Sequence, residues 1–237
     1  IEEFDKQKTK VLKYIIYIYL KFLGAYIMST FFAKIAAPTL GISDIGKIIS
    51  PKDFDKVDGD DYIFHEDNEK IFFVIKSKSD EYVFTNYAVI HVDGANATSK
   101  KRVVYRYEFL NHQVNNVYIE TAGHIDLDIE IKFNLNQMHF SIDVDKNQLE
   151  QLKDLYKTLF EIGRIQSSNS VYFDNKKESL KIAESILLKS VCEFSDTNSF
   201  ITLYKDITNF NLEWLNDATD NFKRRDFSDI YTKYIQN

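Results

Sequence analysis

The chain has 237 residues with a formal net charge of −6, 7 Gly and 2 Pro, and it is 15% aromatic. That length holds one ordinary domain with a substantial extension, or two small domains, and the aromatic content with so few breakers describes regular elements joined by short turns, not a disordered tail. The negative charge disfavours a nucleic-acid binder, which needs Lys and Arg clustered against phosphates; the single cysteine, Cys192, excludes an intrachain disulfide and a cysteine-built zinc cage and fits a reducing compartment such as the cytosol.

The first element is the apolar run "KYIIYIYLKFLGAYIMSTFFAK", preceded by Lys6, Lys8, Lys10 and Lys13. It has the outline of a signal anchor, but Lys21 near its middle would cost roughly 2.5–3.5 kcal/mol on insertion scales, and no small-residue cleavage site follows. The chain begins with Ile1, and Met28 is its first methionine, so the expectation is that residues 1–27 precede the true start. Basic against acidic residues number 6 to 3 in 1–40, 15 to 22 in 41–164 and 9 to 11 in 165–237. The acidity lies in the middle.

That middle reads as antiparallel sheet. Strands are expected at Asp61–His65, Lys70–Ser77, Glu81–Val92, Arg102–Phe109 and Val114–Thr121, with turn signals at Asp93-Gly94 and a relaxed backbone at Gly123. In Ile125–Phe133 the apolar residues 125, 127, 129, 131 and 133 alternate with Asp126, Asp128, Glu130 and Lys132, giving one buried and one wet face. Phe140, Ile142 and Val144 repeat the pattern after a polar turn at 134–137, predicting a hairpin. Leu149, Leu152, Leu155, Tyr156, Leu159 and Phe160 then recur at helical spacing within Lys146–Arg164. About seven strands and one terminal helix suggest a small barrel or roll, capped by the helix at an open end.

A polar patch at Gln166–Ser170 punctuates the chain. Leu180, Ala183, Leu187 and Val191 define a further helix, Asp196–Ser199 a turn, and helical spacing resumes through Phe200, Tyr204, Ile207 and Phe210, then Trp214, Leu215, Ala218 and Phe222. Phe227, Ile230, Tyr231 and Tyr234 continue it. An extension of two or three helices struggles to bury its own surface, so it is expected to pack on the barrel or on another subunit.

The stretches "GISDIGKIISPKDFDKVDGDDYIFHEDNEKIFFVIKSKSDEYVFTNYAVIHVDG", "SKKRVVYRYEF", "ETAGHIDLDIEIKF" and "SIDVDKNQLEQLKDLYK" resemble the bacterial pleckstrin-homology-like family, of the YvbH-like kind. The resemblance covers about residues 40–164, and the tail after Ser167 resembles that family's oligomerisation region; Met28 stands about where members begin. It implies an α+β fold: a pleckstrin-homology-like, seven-stranded antiparallel barrel or roll with a C-terminal capping helix, followed by a helical extension. It also implies ring-like or higher oligomers, and it brings no catalytic residues. The expected parts are an upstream apolar segment (1–27), a helical lead-in (28–40), the pleckstrin-homology-like domain (41–164) and the helical oligomerisation extension (165–237).

Among candidate chemistries, the acid-rich stretch "DGDDYIFHEDNE" from Asp58 to Glu69 fails as an EF-hand loop, since neither register places Gly at the sixth position and Glu at the twelfth. His65, Glu66, Asp67 and Glu69 are possible metal ligands, but neighbours on a strand point to opposite faces. The expectation is a solvated turn in which Tyr62 and Phe64 supply apolar surface and the acids face water. The row Asp126, Asp128 and Glu130 reads as a wet face, not as cation ligands. His91, His112, His124 and His139 stand without the partners that a nucleophilic relay needs, and Cys192 reads as buried packing. Ser99, Lys100, Arg102 and Arg106, with Lys101 beside them, form the one basic concentration with the chemistry to meet a phosphate, although the early region where many pleckstrin-homology domains keep basic residues is acidic here.

The expected protein is therefore a non-catalytic, cytoplasmic module with no cofactor and no bound metal, forming a homo-oligomer and serving as an interaction scaffold for an unspecified protein partner. Phe200, Tyr204, Phe210, Trp214, Phe222, Tyr231 and Tyr234 are its expected packing or oligomer surface. The alternative is a peripheral membrane protein, held by anionic lipid at the basic hairpin or by the N-terminal apolar segment.

Overall fold

The structure, a computed structural model, describes residues 44–94, 102–121, 128–190 and 196–235. The apolar run before residue 44, the start site at Met28, Ser99, Lys100, Lys101, Gly123, His124, Asp126 and Cys192 lie outside them. Among the described residues, eight strands are arranged in two antiparallel sheets that do not close into a barrel. The first has the order β1 (Lys47–Ile48), β2 (Ile71–Lys76), β3 (Asp80–Thr85), β4 (Ala88–Gly94), β5 (Arg102–Glu108); the second has β6 (Val114–Thr121), β7 (Asp128–Leu135), β8 (Met138–Asp145). They are followed by α1 (Leu149–Ser190), α2 (Thr197–Phe222) and α3 (Ser228–Tyr234).

The expected hairpin is present, with Ile131 opposite Ile142 and Phe133 opposite Phe140. Its turn carries Asn136 at φ 56°, a left-handed conformation that Asn tolerates better than most residues. Four expectations need correction. The run Glu81–Val92 is two strands, because Asn86 and Tyr87 turn the chain and the Thr85 hydroxyl accepts hydrogen bonds from the Tyr87 and Ala88 N–H groups. Asp61–His65 is no strand but belongs to a series of 3-10 turns over Pro51–Lys56, Asp58–Tyr62 and His65–Asp67. The two-residue β1 brings the strands to eight. Finally, the helix expected to stop near Arg164 runs on to Ser190 through the polar patch at 166–170.

The strands β2–β4 read as nearly continuous apolar runs because both faces of their sheet are covered. On the inner face Phe73, Ile75, Phe84 and Val89 join Ile131, Phe133, Leu135 and Ile142 of the second sheet, with Leu152, Leu155, Leu159 and Ile162 of α1 packed on them. Each such fully buried side chain stabilises by about 1.5–3 kcal/mol. On the outer face Val74, Val83, Ile90 and Val92 pack under Val57 and Ile63 of the 3-10 turns. Asp145 opens the way into α1 by accepting a hydrogen bond from the Asn147 N–H.

Two glycines permit close approaches. A Cβ at Gly46 would lie 2.8 Å from the Asp143 carbonyl oxygen where β1 is stitched to β8, and one at Gly163 would lie 2.4 Å from the Val114 carbonyl oxygen where α1 crosses β6. The chain finally returns to the body: Phe227, Ile230, Tyr231 and Ile235 are buried in the main core, Phe227 edge-on to Phe109 and Tyr231 stacked on Phe72.

Candidate functional site

The acid-rich stretch forms a cover on the sheet, its Gly59, Ile63 and Glu69 buried and most of its other side chains exposed. Its backbone is held by two glutamates that turn inward. Glu81, buried on β3, accepts hydrogen bonds from the Gly59 N–H at 2.6 Å and the Asp58 N–H at 3.3 Å, and pairs with Lys76 at 2.7 Å. Glu69, also buried, accepts from the Phe64 N–H at 2.9 Å, the Thr85 hydroxyl at 2.6 Å and the Arg106 guanidinium at 3.0 Å. The expectation that all these acids face water is thus overturned at Glu69, and Ile63, not Tyr62 or Phe64, anchors the segment in the core.

The same arrangement answers the basic strip. Arg106 does not lie open to a phosphate: it pairs with Glu69 and Glu108, and its guanidinium sits 4.8 Å from the centre of the Phe64 ring. Arg102 reaches Asp58 at 3.7 Å. Arg102 and Arg106 of β5 thus each meet a carboxylate of the acidic cover. The Arg106 Nε and one of its terminal nitrogens are taken by carboxylates, and the other terminal nitrogen is buried with no partner among the described residues.

The four possible metal ligands diverge. His65 meets Asp60 at 3.2 Å, Glu66 is exposed, the Asp67 carbonyl accepts from the Tyr87 hydroxyl, and Glu69 points inward. Among the described residues no group of three or more His, Cys, Asp or Glu is placed to hold a metal ion. In the carboxylate row, Asp128 is buried and Glu130 is half-buried beside Lys132, at 2.6 Å. The hydrogen bonds that the Lys132 ammonium donates to Glu120 and then to Glu130 raise its pKa well above the usual lysine range.

Among the described histidines that the sequence reading left without partners, His91 has a carboxylate partner. His91 is bonded to Asp80 at 2.8 Å, with its ring stacked 4.4 Å from Tyr82 and 5.9 Å from Tyr105. Cross-strand register, which pairs Tyr82 with His91, brings them together. Burial, then the charges of Asp80, Asp93 and Asp44, push the Tyr82 phenol upward in pKa, so it stays protonated. The group forms a stack of rings. His112 and His139 bond to the Glu108 carbonyl and to Asn134.

The helices beyond the body present the other candidate surface. The α1 helix is held to the body through Ile162 and Ile165 and by Gln166, whose side chain donates to the carbonyls of Phe109 (2.6 Å) and His112 (3.1 Å) and accepts from the Val114 N–H (2.8 Å). Beyond it α1 pairs with α2: Lys176 bridges to Asp217 and lies over the Trp214 and Phe222 rings, and Tyr172 packs on Phe222. The inward stripe of α2, Leu203, Ile207, Leu215 and Phe222, is only half-buried, and among its described side chains Ala218 alone is fully buried. Phe200, Tyr204, Phe210 and Trp214 keep exposed ring surface, with Tyr204 64% and Phe210 58% exposed. The expected surface set therefore divides. Tyr231 is wholly buried in the body, Tyr234 packs against it and Phe222 packs inward on Tyr172, so these three serve internal packing, whereas Phe200, Tyr204, Phe210 and Trp214 keep exposed surface. Among the described residues no helix is long and apolar enough to cross a membrane.

Comparisons with known proteins find two family regions along the chain. The family model described as "Bacterial PH domain" matches residues 39–162, and that described as "YvbH-like oligomerisation region" matches residues 174–237. The chain is 49% identical over 206 residues to "Uncharacterized protein YvbH" of Bacillus subtilis (strain 168), covering 87% of this chain and 100% of that protein. It is also similar to the crystal structure of a PH-domain-containing bacterial protein from Exiguobacterium sibiricum 255-15. There the identity is 44%, the TM-score 0.73, and the match covers 81% of this chain and 100% of the other.

Proposed function

We propose, because this chain belongs to the bacterial PH-domain family and carries a YvbH-like oligomerisation region, that it is a non-catalytic module that assembles with copies of itself through the α1–α2 arm and offers its PH-like body as a protein-interaction scaffold. The observation that carries this reading is the ring surface left exposed on α2. Burying even half of one such ring against a second copy stabilises by about 2 kcal/mol, and several rings lie along one helix. At about 1.5 Å per residue, the part of α1 beyond Gln166 spans roughly 36 Å. The arm is long enough for copies to meet there while each body keeps its outer surface. The lone cysteine supports a cytosolic setting. The membrane-bound alternative gains no support from Arg102 and Arg106, both of which have carboxylate partners.

The test is the solution mass. Multi-angle light scattering on the full chain should give a multiple of 27.8 kDa at micromolar concentration. The double variant Tyr204→Glu with Phe210→Glu should fall to the monomer mass with its circular dichroism unchanged. A wild-type monomer, or an oligomer indifferent to the double variant, refutes the proposal.

A further inference from the structure

Body and arm meet around a cleft of about 210 Å³. One wall comes from the segment joining β5 to β6 and from the β7–β8 turn; the other comes from α1 just beyond its last contacts with the sheet and from the end of α2. Gln166 holds the two walls together through its three backbone bonds, and within the first wall Asn136 accepts from the Gln113 N–H at 2.8 Å and donates to the Asn111 carbonyl at 3.0 Å. The side chains of Gln113, Asn169 and Ser170 also line the cleft and make no hydrogen bond to any described residue. Concave polar groups without partners are what a small-molecule site offers.

The charge of the lining selects the ligand. It includes Lys223 and Arg224 and no carboxylate. The Arg224 guanidinium is already held by Asp229 and by the Asp226 carbonyl. Lys223 has no carboxylate partner among the described residues; its ammonium stands 5.4 Å from the centre of the Phe173 ring, which also lines the cleft. One free ammonium and three free polar side chains therefore converge beside an aromatic face. A cation finds no counter-charge here, and a neutral apolar molecule leaves the donors unmet. The volume lies below the ~300–1,000 Å³ of sites for drug-sized ligands and corresponds to about seven waters, so the occupant is a small molecule.

We infer that this cleft binds a small organic oxyanion, its carboxylate or phosphate head on Lys223, Asn169 and Ser170 and its apolar part against Phe173. Charge-assisted hydrogen bonds of this kind are the strong ones. The site lies within one chain, so it stands apart from the assembly proposed above.

The test is calorimetric titration of the full chain with phenyl phosphate, benzoate and the neutral benzyl alcohol. One molecule of phenyl phosphate or benzoate should bind per chain, and benzyl alcohol should not; which anion binds tells phosphate from carboxylate recognition. Lys223→Gln and Asn169→Leu should each weaken binding at least about tenfold while keeping the ligand-free melting midpoint. Lys205→Gln, on the exposed surface of α2, should leave binding unchanged, and so should the Tyr204→Glu, Phe210→Glu variant, which separates this inference from the assembly reading. No saturable heat with either anion, equal binding by Lys223→Gln, or equal binding of benzyl alcohol overturns it.

Discussion

Glu69 shows how one side chain decides what a charged segment does. Its carboxylate joins the 3-10 cover, through the Phe64 N–H, to β3 through Thr85 and to β5 through Arg106. Removing one member of a buried ion pair strands the other, with a loss of about 3–5 kcal/mol. The Arg106 side chain is 21% exposed and keeps Glu108, so Glu69→Ala should lose about 3 kcal/mol and Glu69→Gln less, read from urea unfolding midpoints. A loss below about 1 kcal/mol for Glu69→Ala would mean that Glu81 with Ile63 and Val57 holds the cover without it. Tyr231 makes the opposite case. Its hydroxyl is buried with no hydrogen-bond partner among the described residues, and burial pushes the phenol above its ordinary pKa near 10. Tyr231→Phe should therefore stabilise by about 1 kcal/mol at neutral pH. The raised folded pKa also fixes a sign: the contribution of this group is fully present below the unfolded value and is lost as the pH rises beyond 10. The wild type should lose stability more steeply than Tyr231→Phe in that alkaline window, and parallel curves would sink the assignment.

At the scale of elements, α1 is the part that joins the two halves of the chain, and Gln166 is where it does so. The side chain satisfies one backbone N–H and two carbonyls of the β5–β6 connection. Gln166→Leu leaves these groups without partners and should destabilise by about 1–3 kcal/mol, with faster hydrogen exchange at the Val114 amide; unchanged exchange there would show that water replaces the side chain. This residue also explains why the helix end was misread. A run of Gln, Ser and Asn looks like a linker when only apolar periodicity is followed, yet here one polar residue bonds to loop backbone and the helix continues. The β7–β8 hairpin was legible because one face is buried and the other wet, so its alternation is explicit. Asp61–His65 was not, because Tyr62, Ile63 and Phe64 in a 3-10 turn mimic a short apolar strand, and only Ile63 is buried. The Asp80–His91 contact and the Glu69–Arg106 pair depend on register across strands, which one-dimensional spacing does not carry.

For the whole molecule the question is which aromatics belong to the body and which to the assembly. The sequence reading puts them all in one extension of two or three helices. The fold separates them, because the chain from Phe227 through α3 folds back and inserts Phe227, Ile230 and Tyr231 into the main core, while Phe200, Tyr204, Phe210 and Trp214 of α2 keep exposed surface. The two groups should respond differently to concentration. A ring buried inside one chain stabilises that chain at any dilution, so Phe227→Ala should cost about 3–5 kcal/mol and lower the melting midpoint equally at low and high protein concentration. A ring buried only between copies stabilises by mass action, so the wild-type midpoint should rise with concentration. In Tyr204→Glu with Phe210→Glu that dependence should vanish, and at the lowest concentration its midpoint should meet that of the wild type. Differential scanning calorimetry over a hundredfold range of concentration distinguishes the cases. A concentration dependence that survives in the arm variant would place the contact between copies on the body, where the exposed Tyr105 and Tyr118, on the edge strands β5 and β6, would be the next residues to substitute.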